Sequence, residues 1–184
     1  MNISTVEDDA TARTCTTCTV QRAENLATMG VRRVMELCVG PSLRALEAAY
    51  ATVGIAVVGN DIDPRWQKYY PRGSWVIGDA RKVSLAGFDA VVVAPPLSRG
   101  CSGRREDSLS LEQVTPSYYD FVDLAVPLLV FVLPGRTLSL RGDRAQLHRF
   151  LARLQGRIDV VPLREKVVKY VDVYYSPERT REED

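Results

Sequence analysis

Two stretches, Asp89–Ala94 (DAVVVA) and Leu128–Leu133 (LLVFVL), are apolar at almost every position. A strand with one wet face alternates polar and apolar residues; a strand without alternation must be covered on both faces. That requirement confines the chain to a sheet sandwiched between helices. The flanking patterns supply the helices. Leu43, Leu46, Tyr50 and Val53 recur at steps of 3, 4 and 3, and Leu147, Phe150, Leu151 and Leu154 at i, i+3, i+4 and i+7. Thr11 to Met29 places Cys15, Cys18, Leu26 and Met29 at helical spacing, with Arg22 breaking the series and Gly30 as the stop. Further strands are expected at Val31–Val39, Ile55–Val58, Trp75–Ile77, Ile158–Leu163 and Val167–Tyr175, the last two apolar on both faces. A helix is expected after Thr115-Pro116, with Thr115 as cap and Tyr118, Phe121, Val122 and Ala125 on one face. Strands alternating with amphipathic helices predict an α/β fold with a parallel-rich sheet.

The chain has 184 residues, 46% of them apolar and 26% charged, which suits a single domain with a real core. The expected division is a flexible tail over 1–10, one domain over 11–175 and a charged tail over 176–184. Lys and Arg number 24 against 23 Asp and Glu, a net charge of +1. No global field draws such a chain to nucleic acid or membrane, so binding of that kind must come from a local patch. Four cysteines are too few for a disulfide scaffold. Glu7, Asp8 and Asp9 stand where a secretory leader would need an apolar run. A reduced, cytoplasmic protein without a membrane span is the expectation.

Open α/β sheets bind ligands beyond the carboxyl ends of their strands. Three such ends carry suggestive residues. Glu36-Leu37-Cys38-Val39-Gly40-Pro41-Ser42 ends a strand, bends at a glycine and opens a helix. Gly59-Asn60-Asp61-Ile62-Asp63 ends the next strand, and Asp61 follows Gly40 by 21 positions, near the interval at which an acid meets ribose hydroxyls. Gly78-Asp79-Ala80 ends the third, where a carboxylate suits an adenine amino group. The ensemble points to an adenosine-type ligand.

These residues resemble the class I S-adenosylmethionine-dependent methyltransferases, over a span from about Arg32 to Tyr175. The family's first motif, an acid followed by small residues at alternate positions, matches Glu36, Cys38, Gly40 and Ser42, with one glycine remaining. Asp61 matches the ribose-binding acid and Asp79 the adenine-contacting acid, with Ala80 beside it. Phe88–Val93 is similar to the fourth strand, and Ala94-Pro95-Pro96-Leu97 stands where many members carry Asn/Asp-Pro-Pro-aromatic. Ala94 has no polar atom to hold a target amine, and Leu97 has no ring to stack on a base. The resemblance implies a Rossmann-like open sheet of about seven strands, mostly parallel with an antiparallel last strand, and helices on both faces. It also implies S-adenosylmethionine as cofactor, bound by Glu36, Cys38, Gly40, Ser42, Asp61, Asp79, Ala80 and Ala94.

Transfer from a sulfonium methyl needs alignment more than acid–base groups. Pro95 and Pro96 are expected to wall the transfer position, with Ser98 the first polar residue beyond them. The loop Leu97–Val114, with Arg99, Arg104 and Arg105, is the expected substrate-facing segment and a possible contact for RNA or protein; Glu106 and Asp107 partly balance its charge. The acceptor stays open. A non-catalytic S-adenosylmethionine-binding subunit that stabilises or regulates a partner is the alternative function, and another nucleotide-using enzyme the third. A nicotinamide enzyme is disfavoured by the absence of G-x-G-x-x-G after the first strand. Cys15-x-x-Cys18 reads as helix packing, because no second Cys/His pair stands near to complete a metal site.

Overall fold

A computed structural model describes residues 16–40, 43–69, 73–95, 110–134, 144–164 and 168–177. The elements are α1 (Thr16–Thr28), β1 (Arg33–Leu37), α2 (Leu43–Ala51), β2 (Ala56–Asp61), β3 (Trp75–Ile77), β4 (Ala90–Val93), β5 (Leu129–Pro134), α3 (Arg144–Leu151), β6 (Gly156–Arg164) and β7 (Val168–Pro177). Short 3-10 turns occupy Pro64–Tyr69, Ala80–Lys82 and Tyr118–Phe121. The seven strands form one sheet in the order β3-β2-β1-β4-β5-β7-β6. Pairs β1–β2, β1–β4, β2–β3 and β4–β5 are parallel, and β7 runs antiparallel to both β5 and β6. Six strands therefore share one direction. This is the Rossmann-like sheet expected from the sequence. Its chain order reverses between β1 and β4, which opens a crevice at their carboxyl ends.

Period-2 geometry sends alternate side chains to opposite faces, and both faces are dry. On one, Val34, Val92, Val130 and Tyr174 pack with Ala23 and Leu26 of α1 and Leu46 and Tyr50 of α2. On the other, Met35, Val91, Phe131 and Val173 pack with Leu147 and Phe150 of α3 and with Tyr118 and Phe121. All four residues of β4 are fully buried, which is why that strand shows no alternation. Gly30 takes φ +79° just after α1, where its N–H donates to the Ala27 carbonyl, the left-handed stop that glycine permits.

Two expectations differ from the structure. The segment after Thr115-Pro116 is a 3-10 turn of four residues, not a helix, and its cap is Ser117 rather than Thr115. Ser117 Oγ accepts from the Tyr119 N–H, and Asp120 returns a bond to the Ser117 N–H at 2.9 Å. Tyr118 and Phe121, three apart, are buried by either helix type, so their spacing did not distinguish the two. The strand at 156–164 is not apolar on both faces. It is the sheet's edge, paired only to β7 and mostly half-buried. Pro162, which lacks an N–H to offer, sits in that edge strand as edge strands allow. Gln21 of α1 covers its end, donating to the Arg164 carbonyl at 2.9 Å and accepting from the Arg164 N–H at 3.1 Å. Cys15 and the start of the second helix at Ser42 lie outside the described residues. Cys18 is buried on α1. Among the described residues no helix is long and apolar enough to cross a membrane.

Candidate functional site

The bend after β1 and the end of β2 meet. The Gly40 N–H donates to Asp61 Oδ2 at 2.8 Å, and Asp61 Oδ1 accepts from the Asp63 N–H at 2.9 Å. Parallel pairing of Leu37 with Asn60 brings the two strand ends level, and a Val39 N–H bond to the Asn60 carbonyl extends the ladder past β1. The 21-residue interval is thus a contact. Gly40 has φ +54°, and a Cβ built on it meets nothing within 4 Å among the described residues. Among the described residues the bend is open at this point.

Cys38 has φ +60°, the one described non-glycine residue with positive φ. L-residues lose roughly 1–2 kcal/mol in this region, so the turn imposes a glycine-like conformation on a cysteine. Burial pushes its thiol up to about 12, and the Asp61 and Asp79 carboxylates add to the shift. Two consequences follow. Cys38 stays a thiol at neutral pH and does not act as a nucleophile. Both carboxylates also lie within electrostatic reach of one sulfur, so they flank the same bend.

The end of β3 is tied to that of β2 by a residue the sequence reading passed over. Asn60 is fully buried, and its amide donates to the carbonyls of Val76 and Gly78 at 3.0 Å each. The Gly78 N–H donates to the Asp61 carbonyl at 3.0 Å. A lone amide in an apolar strand was the available signal. Asp79 caps the 3-10 turn Ala80–Lys82, accepting from the Arg81 N–H at 3.1 Å and from the Arg81 guanidinium at 2.9 and 2.7 Å. Hydrogen bonds from the Arg81 side chain and backbone hold its carboxyl down to about 2, so Asp79 is an anion and acts only as an acceptor. Ala80 is buried beside it. Ile62, next to Asp61, is 71% exposed.

Glu36 lies elsewhere. It is 2% exposed, and its Oε1 accepts from the Tyr50 hydroxyl at 2.6 Å. Burial raises its pKa against the opposing charge of Arg22 and the Tyr50 bond. Close by, Arg22 of α1 forks onto Asp172 of β7, with Nε to Oδ2 at 2.6 Å and Nη2 to Oδ1 at 2.8 Å. The Tyr174 hydroxyl lies at 3.5 Å from Asp172 and accepts from Asn25 at 3.3 Å. Arg22, read as a break in a helical pattern, is therefore the buried cation that joins α1 to the sheet. Glu36 belongs to this polar cluster inside the α1/α2 layer.

At the end of β4 Ala94 is half-buried and Pro95 buried, with the Ala94 N–H 3.4 Å from the Leu37 carbonyl. Tyr118 donates to the Val132 carbonyl at 2.6 Å, and burial raises its pKa, so it is no base. Ser42, Pro96, Ser98, Arg99, Cys101, Arg104 and Arg105 lie outside the described residues. A cavity of about 440 Å³ opens at the amino ends of the parallel strands, lined by Met29, Asp89, Leu128 and Tyr174 among others. Asp89 there is already engaged by the N–H groups of Arg32 and Arg33, both at 2.8 Å. The carboxyl-end crevice, with its switch point and open glycine bend, is the better candidate.

The sequence matches no protein-family model and no curated protein. Solved structures do match. Magnesium protoporphyrin IX methyltransferase (ChlM) from Synechocystis PCC 6803, with bound SAM, aligns with TM-score 0.56 at 13% identity, covering 87% of this chain and 80% of that one. The methyltransferase domain of bacterial CtHen1 aligns with TM-score 0.58 at 10% identity over 86% and 99%. The 1,6-didemethyltoxoflavin-N1-methyltransferase of Burkholderia thailandensis, with S-adenosylhomocysteine bound, aligns with TM-score 0.54 at 15% identity over 88% and 79%. The chain has the fold these methyltransferases share.

Proposed function

We propose that the protein is an S-adenosylmethionine-dependent methyltransferase. The observation that carries this reading is the joint of Gly40 and Asp61 at the switch point: an open bend, with a carboxylate held beside it at 2.8 Å. Asp61 keeps unused lone pairs on both oxygens and accepts from vicinal ribose hydroxyls. Asp79, anionic and fixed by Arg81, accepts from the adenine amino group, and Ile62 covers a ring face. Cys38 and Gly40 let the backbone approach the amino-acid end. When bound, the cofactor would supply an electrophilic methyl group, and Pro95 at the end of β4 would stand beside the position where the acceptor is aligned. None of the described side chains at the end of β4 is a free base, which suits a transfer driven by orientation. The acceptor is a nucleophile that needs no polar grip from position 94. Ala94, Leu97 and the single remaining glycine of the turn favour the second reading, a cofactor-binding subunit that serves a catalytic partner.

The test is calorimetric titration with S-adenosylhomocysteine, with NAD as control. Binding of the former alone is expected. Asp61→Ala weakens it by roughly 1–3 kcal/mol through loss of charge-assisted hydrogen bonds. Absence of binding, or equal affinity in the variant, overturns the reading. Label transfer from methyl-labelled cofactor to a component of the protein's own cell extract separates the enzyme from the subunit.

A further inference from the structure

Four arginines elsewhere pair with carboxylates: Arg22 with Asp172, Arg65 with Asp63, Arg81 with Asp79 and Arg157 with Asp159. On the outward face of α3, cations cluster instead. Arg144, His148, Arg149 and Arg153 are all exposed along it and the turn that follows. Among the described residues no carboxylate pairs with these three arginines, and α3 itself (RAQLHRFL) contains no acid. In a chain of net charge +1 this is a local excess.

A second feature adjoins it. Tyr119 is half-buried, its ring standing edge-on to Phe150 of α3 at 5.5 Å and 83°. Arg149 and Arg153 act electrostatically on its hydroxyl, with Glu112 also beside it. The next residue, Asp120, places Oδ2 3.9 Å from Arg81 Nη1, and Arg81 holds Asp79. The α3 face is therefore linked, through Tyr119 and the carboxylates of Glu112 and Asp120, to Arg81 and Asp79.

We propose that this face binds the backbone of a single-stranded nucleic acid, with Tyr119 as the platform for an unpaired base. Arginine forks match phosphate oxygens two at a time. Arg149 in the last turn of α3 and Arg153 in the turn that follows offer phosphates two such sites. An aromatic ring flanked by cations is the arrangement that binds single strands without reading sequence. A lipid surface fits poorly, because the large exposed apolar side chains, Met29, Ile62, Val76, Ile77 and Val160, all lie off α3. The inference names the acceptor class for the methyl-transfer reading and rests on that reading for its purpose, while binding itself is separately measurable.

The experiment is fluorescence anisotropy of the full chain with labelled 12-nucleotide RNA and DNA single strands over a salt series. Arg149→Glu/Arg153→Glu is expected to weaken binding by about tenfold or more at low salt and to reduce the log–log salt slope by about 1.4, two contacts at 0.7 each. Tyr119→Leu weakens binding and Tyr119→Phe restores it. Equal binding by the charge-reversed variant overturns the proposal, as does competition by polyglutamate equal to that of the oligonucleotide. Calorimetry of the same variant with S-adenosylhomocysteine keeps the two readings apart. Lost oligonucleotide binding with intact cofactor binding supports both. Cofactor binding without any oligonucleotide binding by the unaltered chain sinks this proposal alone. Oligonucleotide binding without cofactor binding leaves this surface standing and removes the methyl-transfer reading.

Discussion

Replacing Arg22 by methionine leaves two buried acids facing each other without their cation. The Arg22 side chain is 5% exposed and that of Asp172 fully buried, and the fork between them has contacts of 2.6 and 2.8 Å. At an effective dielectric of about 20, unit charges some 4 Å apart attract by about 4 kcal/mol. Breaking such a pair from one side costs about 3–5 kcal/mol, because the remaining charge stays buried. Glu36 makes the two sides unequal. In Asp172→Asn the guanidinium keeps Glu36 as an electrostatic partner, so the expected loss is near 3 kcal/mol. In Arg22→Met both carboxyls lose their cation, and the loss at pH 7 approaches 5 kcal/mol. The pH dependence gives the sign. Buried carboxyls without a cation have pKa values above those of the unfolded chain, so the unfolded chain releases protons first as pH rises. Arg22→Met should therefore regain stability as pH falls from 7 to 5, and by more than the unaltered protein, in which Arg22 opposes the rise of the Glu36 pKa. Arg22→Met/Asp172→Leu should recover most of the loss. Urea unfolding followed by the fluorescence of Trp66 and Trp75 measures all of this. Losses under about 1 kcal/mol for both single variants, or no pH dependence in Arg22→Met, would refute the buried-charge reasoning.

Cys38→Gly should fall within about 1 kcal/mol of the unaltered protein, because relief of the left-handed backbone offsets the lost side-chain burial; Cys38→Val, β-branched at φ +60°, should lose about 2 kcal/mol or more by the same unfolding assay. With its thiol near 12, Cys38 should resist iodoacetamide at pH 8 in the folded chain, and peptide mapping that finds it labelled as fast as a free thiol contradicts the burial. Asp79, held near 2 by Arg81, contributes stability that is present above the unfolded value of about 3.9 and lost as pH falls toward 2. Asp79→Asn should flatten that part of the acid-unfolding curve, and an unchanged curve would show the pair contributes nothing.

The reach of sequence reading follows the range of the interactions involved. β4 and β5 were legible because burial on both faces abolishes alternation within five or six residues. The meeting of Gly40 and Asp61 was legible because parallel strands joined by one helix place their carboxyl ends side by side. The pairing of Arg22 with Asp172 was not, since 150 positions separate them and only the sheet order joins β7 to the layer under α1. Glu36 was expected at the cofactor by position in a motif; strand parity turns its side chain toward Tyr50 in the α2 layer instead. The turn at Tyr118–Phe121 was misjudged because a spacing of three satisfies both helix types. The cluster of arginines on α3 was not legible, because which charged side chains share a surface with Arg149 and Arg153 is set by the packing of Tyr119 against Phe150.

A crystal structure with S-adenosylhomocysteine tests the central claim most directly. The account predicts the ribose hydroxyls within hydrogen-bond distance of Asp61, the adenine edge at Asp79 and the methionine portion over the Gly40 bend. An adenosyl group bound in the cavity at the amino ends of the parallel strands, or one that leaves Asp61 untouched, would contradict it.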